Sequence, residues 1–192
     1  GGTFDPFHNG HLGVIRAVRD RTDCELIVVT PANDPWQKVS VASAEQRFTM
    51  AELGTAGEDD VVVSDVDVVR GGPTYTVDTL RELKLHYPTS QLFLLMGRDQ
   101  AKALHTWHEI EEITRLAIIC VAERDAPTPH PSHRQDIEPA FTGEYRSIAL
   151  PRMPHSATDI RSRVASGQTL NALVCEAVAR YIQDHHLYPI AR

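Results

Sequence analysis

The sequence predicts an α/β protein: an open parallel sheet with helices on both faces and a C-terminal helical segment. Three observations carry that expectation. Apolar runs rich in β-branched residues recur along the chain, and stretches with apolar residues at helical spacing separate them. Strands separated by helices pair in parallel through βαβ crossovers. Finally, 192 residues, 42% of them apolar and 23% charged, suffice for one full core and lie outside the composition of disordered chains.

In chain order, the first helix is expected over residues 11–20 and the first strand over 25–30. A helix over 44–53 and a strand over 61–69 follow. The second half of that strand alternates Val66 and Val68 with Asp65 and Asp67, the pattern of an edge or half-exposed strand. Next come a helix over 77–86, a strand over 91–96, helices over 100–104 and 109–115, and a strand over 116–122. Residues 125–145 carry Pro127, Pro129, Pro131 and Pro139, a density that prevents regular structure, so they read as a surface loop. His130 and His133 there could form a metal tract, but two histidines between prolines read more simply as solvated. A strand over 147–150 and a helix over 160–166 precede the last helix, expected from 171 to about 185. Its apolar residues Leu173, Val174, Ala177, Val178, Tyr181 and Ile182 fall at helical spacing. One domain over 1–192 is expected, with its core in 1–150 and a C-terminal segment in 151–192.

Charge and cysteine usage exclude several classes. The 19 Lys and Arg against 26 Asp and Glu leave a net charge of −7. An acidic surface repels polyphosphate backbones, which argues against nucleic acid as a partner; any bound phosphate must be held locally by a few cations and backbone N–H groups. The longest apolar runs, 26–29 and 92–96, are far below the roughly 18 residues a membrane span needs, and no signal-peptide pattern opens the chain. Cys24, Cys120 and Cys175 are odd in number, widely spaced and without a C-x-x-C, as in a reducing compartment. The chain therefore reads as soluble and cytoplasmic, with its oligomeric state open.

The most informative stretch is the start, Gly1-Gly2-Thr3-Phe4-Asp5-Pro6-Phe7-His8-Asn9-Gly10-His11. Two glycines let the backbone approach a ligand closely, and Pro6 stiffens the loop. Gly10 and His11 stand at a helix start, where N–H groups and the positive end of the helix dipole favour an anion. His8 and His11, three residues apart across that turn, can aim at one phosphate. No G-x-x-x-x-G-K-[ST] or G-x-G-x-x-G occurs, so the cradle is of another kind. A metal pair is the competing reading, but zincin helices space histidines at i, i+4 with an intervening Glu, and no third ligand is near in sequence. A purely structural turn would use the glycines and proline without calling for two histidines.

The T-F-D-P-x-H-x-G-H string resembles the signature of the adenylyltransferase branch of the HxGH nucleotidyltransferases. That resemblance implies a Rossmann-like sheet and transfer of a nucleoside monophosphate from a triphosphate to a phosphate ester, with release of pyrophosphate. Near the other end, His155-Ser156-Ala157-Thr158-Asp159-Ile160-Arg161 opens a helix. Ser156 and Thr158 can cap that helix and Asp159 suits its dipole. Arg161, read as lying in the first turn, is unfavourable there unless an anion is present, which a triphosphate would supply. The segment is similar to the family's [IS]-S-[SA]-T-x-x-R motif, whose Ser and Arg hold the β- and γ-phosphates; His155 stands where the family more often has an apolar residue.

Three further segments speak to the acceptor. Pro35-Trp36-Gln37-Lys38 follows a parallel strand, at the end where such folds bind ligands, and Lys38 could neutralise a phosphate or be merely solvated. Thr74-Tyr75-Thr76-Val77-Asp78-Thr79-Leu80 leads from a turn into a helix. Gly97-Arg98-Asp99 precedes Leu104 and Trp107. Gly97 permits close backbone approach, Asp99 can accept from ribose hydroxyls or a cation's water shell, and Trp107 offers a stacking face or a core side chain. Together these segments resemble bacterial-type nicotinate-mononucleotide adenylyltransferases, whose pattern includes P-[HW]-x-K, [SP]-x-Y-T-x-D-T-L and G-x-D-x-x-x-x-L-x-x-W. The resemblance implies catalytic roles for His8, His11 and Arg161. It implies ATP binding by Gly2, Thr3, Phe4, His8, His11, Gly97, Asp99, Ser156, Thr158 and Arg161, and nicotinate mononucleotide binding by Lys38, Thr76 and Trp107. It implies Mg²⁺ carried by the ATP phosphates, with no dedicated protein cage. The family also has a short apolar strand before the Gly-Gly pair, so the natural polypeptide is expected to continue upstream of Gly1.

Overall fold

The structure, a computed structural model, describes residues 1–35, 40–124, 145–150 and 156–189. In chain order the elements are α1 (Asn9–Arg21), β1 (Ile27–Val29), α2 (Ala44–Thr55), β2 (Val61–Val63), α3 (Val66–Arg70), α4 (Thr76–His86), β3 (Leu92–Gly97), α5 (Arg98–Lys102), a 3₁₀ turn (Leu104–Thr106), α6 (Ile110–Leu116), β4 (Ala117–Arg124), β5 (Tyr145–Leu150), α7 (Ala157–Ala165) and α8 (Glu176–Asp184). Every strand pairing among these elements is parallel, as the α/β alternation requires. β1 pairs β2 with Ile27 opposite Val61, and a second sheet has the order β3-β4-β5, with Leu92 opposite Ala117 and Ile119 opposite Tyr145.

The chain packs as two units. One holds Gly2–Thr74 and Met153–Arg192, the other Tyr75–Arg152 with Gly1. The core of the first gathers Phe7, Ile15, Val29, Met50, Ala51, Ile160, Val178, Ile182 and Tyr188. Met50 is fully buried there, and a side chain of that kind contributes about 2 kcal/mol on leaving water. The core of the second gathers Val77, Leu80, Met96, Leu104, Ile113, Ile119 and Val121. Among the described residues, no helix is long and apolar enough to cross a membrane.

Two elements differ from expectation. The predicted strand over 61–69 ends at Val63, where the Ser64 N–H donates to the Val29 carbonyl, and residues 66–70 turn into α3. Val66 and Asp67 are both buried, with Asp67 ion-paired to Arg70, whereas Val69 is 76% exposed. Two valines alternating with two aspartates are too short a run to separate a strand from one turn of helix. The predicted last helix begins at Glu176 rather than 171. Ala172 lies in the left-handed region, with φ 63°. The carbonyls of Ala172 and Leu173 accept from the Asn9 side chain (3.0 Å) and backbone N–H (2.8 Å), so they face α1 instead of a helix of their own. Leu173 and Val174 are still buried, which is why their spacing looked helical. The proline-rich segment lies outside the described residues.

Candidate active site

The first unit builds its loop from the end of β1. The Gly2 N–H donates to the Thr30 carbonyl (3.2 Å) and the Ala32 N–H to the Gly2 carbonyl (2.9 Å), so the loop leaves in register with that strand. Phe4 adopts φ 52°, a left-handed conformation that costs a non-glycine residue and persists only when the surroundings hold it. Its ring folds over Gly2, where a Cβ would stand 2.9 Å from Phe4 Cζ. Any side chain at position 2 would therefore push the Phe4 ring from its place.

His8 caps α1 and is buried, while His11 occupies the first turn. The two imidazoles stack, with centroids 3.7 Å apart and planes 22° from parallel. The His8 backbone N–H donates to His11 Nδ1 at 3.2 Å. An imidazole that accepts at Nδ1 presents its proton at Nε2, so His11 offers an N–H donor from the positive end of a helix. The Phe4 ring meets His11 edge-on at 4.9 Å and Phe7 lies tilted at 5.3 Å, which fixes the imidazole from two further sides. Two charged imidazoles at this separation would repel, so the arrangement suits neutral rings, or one charged ring facing an anion.

Ser156 is the N-cap of α7: its Oγ accepts from the Asp159 N–H at 3.2 Å and donates to Asp159 Oδ2 at 2.8 Å. Arg161 is corrected from the first turn to the second, because α7 begins at Ala157. From there its guanidinium reaches back to donate to the Asp5 carbonyl (2.7 Å) and the Thr158 hydroxyl (3.2 Å). A carbonyl thus accepts from the cation whose presence seemed to demand an anion. The structure brings Arg161 to the loop that carries both histidines.

Two residues of this unit escaped the sequence reading. Arg47 is completely buried in α2 and donates to four backbone carbonyls: Thr3 (2.8 Å), Ala32 (2.6 Å), Asn33 (2.7 Å) and Ala42 (3.2 Å). Burial pushes its pKa down, and the Asp5 carboxylate is the main influence acting upward. The available signal was an arginine in line with Met50 and Ala51, at i+3 and i+4 on a buried stripe. Tyr188, also buried, donates to Asp5 Oδ1 at 2.7 Å. Burial, followed by that bond, holds its phenol well above the ordinary range, so it stays a donor. Asp5 additionally accepts from the N–H groups of Val41 (2.7 Å) and Ala42 (3.3 Å). No local pattern announces Tyr188, which stands 183 residues from its partner.

The second unit holds the other expected residues. Thr76 opens α4 behind Tyr75, and Trp107 follows the 3₁₀ turn. Trp107 packs half-buried against the cluster of Val77, Leu104 and Ile113, so it is partly a core side chain. Its Nε1 is buried with no hydrogen-bond partner among the described residues. Gly97 caps α5, and a Cβ there would meet nothing within 4 Å among the described residues, so none of their side chains requires this glycine; Asp99 is exposed in the first turn of α5. Arg81 ties α4 to α6 by donating to Asp78 (3.1 Å), Glu109 (2.5 Å) and Glu112 (3.1 Å). Lys38, like Trp36 and His155, lies outside the described residues.

A model of the cytidylyltransferase-like family matches residues 1–163. A probable nicotinate-nucleotide adenylyltransferase of Albidiferax ferrireducens is 42% identical over 192 residues, covering 100% of this chain and 96% of the relative. Another so named, from Neisseria meningitidis serogroup C, is 40% identical over 98% of this chain and 96% of its own. Among solved structures, the Plasmodium falciparum nicotinic acid mononucleotide adenylyltransferase complexed with NaAD superposes with a TM-score of 0.75 at 18% identity, covering 97% of this chain and 94% of that one. At that identity the likeness is one of fold.

Proposed function

The chain belongs to the cytidylyltransferase-like family, and we propose that within it this protein is a nicotinate-nucleotide adenylyltransferase. It transfers AMP from ATP to nicotinate mononucleotide, giving deamido-NAD and pyrophosphate, as a cytoplasmic enzyme of NAD biosynthesis. The observation that carries the reading is the stacked His8–His11 pair at the start of α1, with Arg161 bonded to the same loop through Asp5.

The acceptor phosphate is already an anionic nucleophile at neutral pH, so no general base is needed. The obstacle is repulsion between two polyanions and charge developing on the α-phosphoryl group and the departing pyrophosphate. His11, donating through Nε2, and His8 beside it meet the α- and β-phosphate oxygens. Arg161 takes the outgoing pyrophosphate, Thr158 holds the guanidinium, and Ser156 acts by capping α7. Gly2, Thr3 and Phe4 shape the backbone against the nucleotide, with Gly97 and Asp99 as further ATP contacts. Lys38 neutralises the acceptor phosphate, Thr76 hydrogen-bonds the nicotinate and Trp107 stacks on it.

Among the described residues, no three His, Cys, Asp or Glu side chains could hold a metal ion. The donors here are imidazoles, a guanidinium and N–H groups, which suits Mg²⁺ arriving on the triphosphate's own oxygens as part of the substrate. Bound there, it neutralises phosphate charge.

The test is pyrophosphate release from ATP with nicotinate mononucleotide, nicotinamide mononucleotide or phosphopantetheine as acceptor. Fastest release with a pyridine mononucleotide is expected. Equal or faster release with phosphopantetheine would overturn the proposal.

A further inference from the structure

We infer that Tyr188 is a positioning residue for adenylyl transfer: its hydroxyl holds the Asp5 carboxylate, and Asp5 in turn holds Arg161. The inference rests on the reaction proposed above. Asp5 is the hub of the loop. Its carboxylate accepts three donors: the Val41 N–H at Oδ2, and the Ala42 N–H and Tyr188 hydroxyl at Oδ1. Its carbonyl accepts from Arg161 at 2.7 Å. At Oδ1 the Ala42 bond is long, 3.3 Å, against 2.7 Å for the Tyr188 bond. Without the hydroxyl, that oxygen keeps only its weaker donor, and the carboxylate can pivot on the Val41 bond.

The peptide that anchors Arg161 belongs to the pivoting residue. Tyr188 therefore acts on the guanidinium at one remove, through a side chain and then a backbone carbonyl. The ring of Tyr188 is 4% exposed, in the core with Met50 and Ile182. Phenylalanine would fill that space equally well, so packing alone does not explain tyrosine. The polar atom it adds is spent on Asp5, with Met50 Sδ its other neighbour at 4.0 Å. Docking of the segment after α8 is thus part of setting the arginine that receives pyrophosphate.

The experiment compares wild type, Tyr188→Phe, Arg161→Lys and the double variant by steady-state pyrophosphate release, with thermal unfolding measured in parallel. Tyr188→Phe should lower kcat about tenfold, with KM for nicotinate mononucleotide changed less than about twofold, since a small displacement of a positioned group slows the chemical step selectively. In the Arg161→Lys background the same change should cost less than about twofold, because the group it positions is already altered. A purely structural tyrosine would multiply the two losses, and multiplied losses overturn the inference, as does an unchanged kcat in folded Tyr188→Phe. Should that variant not fold, Asp5→Asn keeps the side-chain volume while weakening the hub, and must show the same kcat loss and the same non-additivity. Wild type that releases no pyrophosphate with any acceptor overturns the reaction itself; wild type that turns over beside an unaffected Tyr188→Phe overturns only the role of Tyr188.

Discussion

Replacing Gly54 by alanine should destabilise the protein, against what helix propensity alone expects. In a helix interior, glycine to alanine gains about 1 kcal/mol. Gly54 lies in α2, however, and a Cβ there would stand 2.7 Å from Phe7 Cε1 and nearer still to Cδ1. Carbon atoms settle at about 3.5–4.0 Å, so the ring must retreat by well over 1 Å. It has little room, being 1% exposed with Phe4 at 5.6 Å and His11 at 5.3 Å between centroids. Overpacking of this kind costs about 1–3 kcal/mol, which leaves a net loss of about 1 kcal/mol after the propensity gain and a Tm lower by about 2–4 °C. The displaced ring presses on His11, and a 1 Å misplacement of a reacting group can slow catalysis about 100-fold. Gly54→Ala would be followed by thermal unfolding and by pyrophosphate release. A variant as stable as wild type with unchanged kcat would refute the argument that α2 holds the imidazole in place through Phe7.

His11→Ala should lower the single-turnover rate by about 3–4 kcal/mol of barrier while leaving ATP affinity nearly unchanged, because its N–H meets charge that develops in the transition state; near-normal chemistry would remove it from the site. Arg47→Met should cost about 3–5 kcal/mol in urea unfolding, since four carbonyls lose their donor at once and the Asp5 carboxylate loses its buried countercharge; a midpoint within error of wild type would contradict this. For acid stability, Glu58 matters. Its hydrogen bond from Arg16, then that from Arg19, holds its carboxyl below the usual range against the effect of burial. A carboxylate lowered on folding contributes stability that is complete above its unfolded pKa and fades as pH falls through the folded one. Glu58→Gln should therefore narrow its stability gap to wild type as the solution is acidified, and a gap that widens would reverse the sign.

Much of the site was legible. The histidine pair, the two glycines and the helix that follows them lie within one short stretch, where local backbone rules apply; that the two rings stack is seen only in the structure. Ser156 was legible as a cap for the same reason: capping is a matter of three residues. The misreadings came where local pattern was ambiguous. Residues 66–70 and 171–175 bury apolar side chains in both the expected and the observed conformations, and only the neighbouring backbone decides between them.

The alternation of strands and helices, the parallel pairing and the placing of two histidines at the start of α1 follow from the sequence, because each depends on spacing along the chain. That Arg161 is held by the carbonyl of Asp5, that Arg47 lies beneath the loop and that Tyr188 closes over its carboxylate was decided by tertiary structure alone. Those partners are 44 to 183 residues apart, and a buried polar group takes whatever donor or acceptor the fold delivers to it.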